Sequence, residues 1–471
     1  MKKMKAKTLL PLLLALALGI APVDISLSAA QRCLYNPADC PADLTPLQAH
    51  EIVLADQPWR VDLYPSAGRS AFAQGDWPAA IDYLTQAEAL DLLDADGLHT
   101  LSLVYDNTGD SETAIQRWLT LLDDPQAPID HLPALYQRLL NDFRVEESLR
   151  VLQGWLAREP ENAAVWVQLG LLQFTQSHAE ALRSLQTAAT LDPAYQPLAR
   201  QVDLVSAQAL LSPEAAYQQL TIGRELANQG YPLQAEILIA QAVKADPNYA
   251  EAWALLGEMQ QLNGHGDGLM ALENAMGLNP DSPLVQSLLA VYWQRQGDAA
   301  QALDFYRQLA QAEPQSLHWQ VELARATADS GDIPAGYAIM QAAVETFSDQ
   351  TQAWVALADF CATYGMEVSA VGLPAARQAL LLEPETPQAL TAMGNVLFAL
   401  TDFDSAQRYY EHALEIEPDS PALHYALARV KVQKQQPASA RYHLQQALTL
   451  LPPNAALVTS IERMLESLPA Q

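Results

Sequence analysis

The sequence predicts an all-α protein made of stacked antiparallel helix hairpins, and three observations predict it. Glycine is scarce, 20 in 471 residues, while Ala, Leu and Gln abound, a balance that favours helices over strands and tight turns. The 50% hydrophobic content and mean hydropathy of −0.03 are those of a globular chain with a sizeable core. Most informative is a skeleton that keeps returning: Leu390, Met393, Gly394, Leu397, Ala406, Tyr410, Ala413 and Pro418 recur 34 residues later as His424, Leu427, Ala428, Lys431, Ala440, Leu444, Ala447 and Pro452.

The first element is not a repeat. Lys2, Lys3, Lys5 and Lys7 precede an apolar run over residues 8–23, and Ser28 and Ala30 are small residues of the kind a signal peptidase accepts. Residues 1–30 are therefore read as an export signal, and the alternative is retention of residues 8–23 as a membrane anchor. Residues 31–60 are rich in Pro and Asp and are expected to form an irregular leader. Cys33 and Cys40 flank "LYNPAD" there. An oxidising compartment would close them into a disulfide, and the alternative is two thiols. Cys361, alone in an apolar helical context, reads as a buried filler.

From residue 61 the skeleton starts again near 61, 95, 129 and 163, then near 216, 250, 283, 317, 351, 387 and 421, which makes eleven copies. Each copy encodes one hairpin. Apolar residues at helical spacing give the first helix a face, and a central Gly or Ala lets the second helix approach. Ala, with an aromatic residue or Leu four places on, gives the second helix its inner face, and Pro ends it. One such hairpin cannot bury its own apolar stripe, so neighbours must stack. The register breaks once, between 163 and 216, which assigns 61–194 to a first array, 195–215 to an extra helix or hinge, and 216–454 to a second array. Residues 455–471, with Leu457, Ile461, Met464 and Leu465 at helical spacing, predict a capping helix and tail. The copy at 317 carries Gly336 and Ser348 where Ala and Pro are usual. The copy at 351 has extra residues around "GMEVSAVGLP".

A formal charge of −29, with only 26 Lys and Arg against 55 Asp and Glu, repels nucleic acid and anionic membrane surfaces. Removing residues 1–30 makes the chain more acidic still. Candidate chemical sites dissolve on inspection. "NGHGDG" follows no strand and reads as a turn rather than a phosphate cradle. "DLLDADG" has Leu92 and Leu103 where calcium ligands belong. The nine His are scattered, and no catalytic or metal constellation stands out, so the chain is read as non-enzymatic, with no cofactor and no metal. Trp166, Trp253 and Trp354 read as core rather than as a sugar-stacking platform.

The pattern W-x2-L-G, then Ala, then an aromatic, then Pro, at a period of 34, resembles the tetratricopeptide repeat over roughly residues 61–454. The resemblance implies a right-handed α-solenoid of about eleven repeats that works as a protein-interaction scaffold. Its partner, a protein or peptide segment, would bind a concave surface lined by first helices. In the second array the implied inward positions collect Leu255, Leu288, Val291, Val321, Val355, Phe398 and Tyr425, interspersed with Arg224, Glu258, Arg325, Asp359, Asn395 and Arg429. The arginines suggest a partner segment with apolar anchors and one or two carboxylates. The alternative is that they only offset acids such as Glu322 and Asp359, and that the apolar inner residues merely pack against adjacent repeats. The family's clamp for a C-terminal carboxylate is not matched, since Thr391 and Ala426 occupy two of its places beside Asn395. The expected function is that of an exported scaffold, periplasmic or extracellular. The alternative is an envelope assembly or secretion factor held at the membrane by its N-terminal segment.

Overall fold

The computed structural model describes residues 27–36, 38, 40–451 and 456–468. The export-signal or anchor reading of residues 1–26 lies outside them. Among the described residues the chain is all helical, and none of its helices is long and apolar enough to cross a membrane. It divides into two compact units, Met1–Arg200 and Gln201–Gln471.

The first unit begins with α1 (Leu27–Tyr35) and α2 (Pro46–Asp56). Four hairpins follow: α3 (Tyr64–Ala73) with α4 (Trp77–Ala89), α5 (Ala95–Asn107) with α6 (Ser111–Leu121), α7 (Leu132–Asn141) with α8 (Val145–Arg158), and α9 (Ala163–Gln173) with α10 (His178–Leu191). Helix α11 (Gln196–Ala209) occupies the stretch where the register breaks and contains the boundary between the units.

The second unit holds seven hairpins. They are α12 (Ala215–Asn228) with α13 (Pro232–Ala245), α14 (Ala250–Asn263) with α15 (Leu269–Leu278), α16 (Pro283–Arg295) with α17 (Ala299–Ala312), α18 (Leu317–Asp329) with α19 (Ile333–Thr346), α20 (Thr351–Tyr364) with α21 (Leu373–Leu382), α22 (Pro387–Ala399) with α23 (Phe403–Ile416), and α24 (Pro421–Gln433) with α25 (Pro437–Leu450). Helix α26 (Ala456–Ser467) follows, its Ile461 buried with Leu444, Ala447 and Ala428. Within this unit the second helix of each hairpin packs on the first helix of the next. The eleven hairpins of the two units make the fold an α-solenoid array.

Local chemistry explains why each copy turns as it does. Asp76, Asp110, Asp298, Asp332 and Asp402 each cap a second helix, the carboxylate accepting the backbone N–H three residues on. The residue one place before the cap is left-handed: Gly297 has φ 78°, and Thr401 takes the corresponding place at 62°. The recurrent Trp is a joint between hairpins. Trp166, Trp253 and Trp354 each donate the indole N–H, at 2.8 Å, to the carbonyl six residues earlier, that of Pro160, Pro247 and Ser348.

The two aberrant copies still pair their helices, by different means. A methyl at Gly336 would sit 2.5 Å from the Ala324 carbonyl oxygen, so the missing side chain lets α19 lie close on α18. In the next copy the extra residues are absorbed as a single π turn, Val368–Gly372, entered through left-handed Glu367.

Residues 31–60 correct the sequence reading. They are no irregular leader: α1 and α2 pack on each other through Ala30, Cys33, Leu44, Ala49 and Val53, and Cys33 and Cys40 are joined in a disulfide. Pro46 does not break structure. It opens α2 at a position where no backbone N–H is needed, behind a Thr45–Gln48 capping box. Helix α1 runs through residue 30, with Ala30 fully buried. On its other side α2 covers the first hairpin. His50 Nε2 lies 2.9 Å from Ser66 Oγ, and Leu47 is buried beside Ala71 and Leu84.

Candidate binding groove

The first helices of three consecutive hairpins, α18, α20 and α22, share one groove of about 440 Å³, a volume suited to a few side chains of a ligand. Helical spacing builds its floor: Leu317 and Val321 are one turn apart on α18, and Val355 and Ala356 face them from α20. Polar groups ring it. His318, Glu322 and Arg325 come from α18, Thr351, Gln352 and Asp359 from α20, and Glu383, Thr386 and Gln388 from the approach to α22 and its first turn.

Charge in the groove is lopsided. Glu322, Asp359 and Glu383 stand against Arg325, whose Nη1 is already 3.3 Å from Glu322 Oε1. Tyr364, on α20, donates to Asp329 Oδ1 at 2.7 Å and so ties α20 to the end of α18. Asp359 sits under opposing influences. Burial pushes its carboxyl up, against an Asn395 hydrogen bond and the Arg325 charge, which pull it down. Its Oδ1 accepts from Asn395 Nδ2 at 2.8 Å, and Asn395 Oδ1 accepts from Tyr410 at 2.7 Å. Three helices, α20, α22 and α23, are thereby joined in one polar chain that ends at the groove.

Of the inward positions read from sequence, Val321, Arg325, Val355 and Asp359 line this groove; the others lie elsewhere. Leu255 is 9% exposed and belongs to the core. Leu288 packs in a cluster with Ala254 and Leu289, and Val291 is half-buried beside it on α16. Asn395 is occupied by Asp359 and Tyr410. Phe398 lies beneath the Arg429 guanidinium, 4.4 Å from ring centre to Cζ, and against Phe403. Tyr425 packs beside Leu444 and Ala447, and Arg224 is exposed on α12. The register that places these residues on first helices is real. Several of them instead face the next hairpin, because a stacked helix buries two flanks and leaves only a narrow strip free.

Other sequence candidates resolve structurally. Asp94 caps α5, accepting from the Gly97 N–H at 2.8 Å, and Gly264, Gly266 and Gly268 form the left-handed turn between α14 and α15. Cys361 is fully buried, and burial pushes its thiol up to about 11, so it is protonated and unreactive at neutral pH.

Three family profiles for the tetratricopeptide repeat match the chain, over residues 66–128, 286–316 and 385–452. No curated protein matches it in sequence. Solved structures similar to it include yeast Tom70, at 14% identity over 93% of this chain and 94% of that one, with a TM-score of 0.42. A tetratricopeptide repeat protein from Parabacteroides merdae matches at 13% identity over 54% of this chain and 98% of its own, with a TM-score of 0.43. The APC/C hetero-tetramer Cut9-Hcn1 matches at 14% over 97% and 98%, with a TM-score of 0.35. The matched profiles, together with the capped and stacked hairpins at a period of 34, identify the chain as a member of the tetratricopeptide-repeat family.

Proposed function

We propose that this chain is a non-enzymatic exported scaffold that holds a segment of a protein partner in the groove of its second unit. The repeats support a role in protein interaction in general. The observation that carries the finer reading is the lining of an apolar groove by three carboxyls, those of Glu322, Asp359 and Glu383, against the single arginine Arg325. A segment with apolar anchors and one Lys or Arg complements that lining better than the carboxylate-bearing segment the arginines suggested, because Arg325 already has Glu322 as its partner.

The test is a panel of labelled peptides that share Leu and Val anchors and differ only in carrying Lys and Arg or Asp and Glu. Basic peptides are expected to bind the full chain, and Asp359→Asn to weaken them about tenfold. Preference for the acidic set, or indifference to Asp359→Asn, would overturn the reading.

Export is supported by the four lysines ahead of the apolar run at 8–23 and by a disulfide suited to an oxidising compartment. A cut that spares α1 falls upstream of Leu27, not after Ala30. N-terminal sequencing of the exported chain checks this: a first residue beyond 30 would show that α1 is dispensable, and an uncleaved terminus would favour the anchor.

A further inference from the structure

His99 on α5, Trp118 on α6, and Asp130 and His131 just ahead of α7 come together in the first unit. The ring of His131 lies between aromatic neighbours, 4.6 Å from His99 and 5.3 Å from Trp118 by ring centres, and nearly parallel to the indole. It is only 7% exposed, and neither of its nitrogens has a hydrogen-bond partner. A buried imidazole with both nitrogens unmet is costly, and stacking on Trp118 does nothing for them. His99 is buried too. Its Nδ1 accepts from the Trp118 indole at a long 3.3 Å, and its Nε2 points to Asp130, 3.8 Å from Oδ1. The ligand-capable atoms of His99, Asp130 and His131 all lie within 4.8 Å of one another. Asp130 is 80% exposed at its side chain, so the cluster is open to solvent on that side.

The loop that carries Asp130 and His131 is held from behind. Arg158, on α8, donates to the carbonyls of Leu121, Leu122, Asp124 and Ala127, fixing the loop's path before it reaches the cluster. The Arg158 and Asp96 charges are the other ionic groups near the two rings.

We propose that His99, Asp130 and His131 bind a divalent transition-metal ion of the zinc type. Two imidazoles and one carboxylate are the ligands of borderline cations rather than of Ca²⁺ or Mg²⁺, and three protein ligands leave a coordination position for water. Metal bonds of about 2.0–2.2 Å require the three groups to draw in slightly. The exposed Asp130 supplies that movement while the buried rings stay in place. An ion at His99 Nε2 takes the lone pair there, which moves the ring proton to Nδ1 and ends the hydrogen bond from Trp118. Trp118 therefore reports occupancy.

The experiment uses the full chain, stripped with chelator and kept in excess Mg²⁺ so that surface carboxylates are occupied. Zn²⁺ is titrated by calorimetry and Trp fluorescence, and Co²⁺ by its visible absorption. One equivalent is expected to bind with a change in Trp118 emission. Asp130→Asn, at an exposed side chain, should weaken affinity about tenfold or more with unchanged circular dichroism, and His131→Gln should abolish binding. His443→Gln removes one ring of the His424–His443 pair in the second unit, whose Nδ1 atoms are 3.1 Å apart, and should leave zinc affinity unchanged. Absence of saturable binding, affinity indifferent to Asp130→Asn and His131→Gln, or loss of binding in His443→Gln would each overturn the assignment.

Discussion

At position 394 one hydrogen atom separates two helices. A methyl there would sit 2.5 Å from Cε1 of the Tyr410 ring, which is itself 1% exposed and has nowhere to retreat. Alanine is the better helix former by about 1 kcal/mol, yet the overlap should win, so Gly394→Ala is expected to lower stability by about 1–3 kcal/mol in urea denaturation. The damage should also reach the groove, since Tyr410 leads through Asn395 to Asp359. Asp359 makes its own prediction. Its folded-state pKa lies above the unfolded one, so the folded chain holds that proton more tightly, and the contribution to stability is largest at low pH and fades as pH rises through the raised value. Asp359→Asn keeps an acceptor for Asn395 and removes the half-buried charge. It should melt higher than the parent at pH 7, with the advantage vanishing below the ordinary carboxylate value of about 4.

Among the elements, turns and helix pairs set what can be changed. Thr401 is a β-branched residue in the left-handed region, in a turn where other copies place Gly. Thr401→Gly should therefore stabilise by about 1 kcal/mol, seen as a higher melting temperature. On α25, burial and the neighbouring His424 hold His443 down to about 4. The folded chain resists protonation there and the unfolded chain does not, so stability is full above about 6.5 and lost as pH falls toward 4. His443→Gln should show a shallower fall in melting temperature between pH 7 and 5 than the parent. These hairpins were legible in the sequence because their signals are local: helical periodicity, a small residue at mid-helix, a cap, a proline. What failed was a segment outside the repeat. Residues 31–60 looked irregular because Pro and Asp were weighed as breakers, whereas Pro46 follows Thr45 and precedes Gln48, a helix-start signature that was there to be read. The extra residues of the copy at 351 were visible, but their accommodation as a π turn depends on how Gly372 meets Cys361, which is a matter of packing.

For the whole molecule, charge and assembly matter more than any one contact. A chain of net charge −29 repels itself when compact. Salt shortens that repulsion from about 30 Å at 0.01 M to about 8 Å at 0.15 M. Its melting temperature should rise over that range, and a fall would mean that the arginine pairs outweigh the repulsion. The candidate site was only partly legible at this scale. Register named Val321, Arg325, Val355 and Asp359, but not Glu383, Thr386 and Gln388, because a groove needs three helices at once. His99 and His131 looked scattered because residues 32 apart in sequence become neighbours only when hairpins stack. The covering of the first hairpin by α2 has one more consequence. The flank that α3 and α4 show to α2 is the kind of apolar flank that every other hairpin shows to its neighbour, so an uncovered end would be adhesive toward the ends of other copies. Cys33–Cys40 clasps the pair that covers it. Reduction, or Cys33→Ser with Cys40→Ser, should then leave the hairpins folded while the chains grow end to end, visible as rising light scattering at unchanged helicity; on that view the disulfide works as a brake on polymerisation, and it holds only where the surroundings are oxidising.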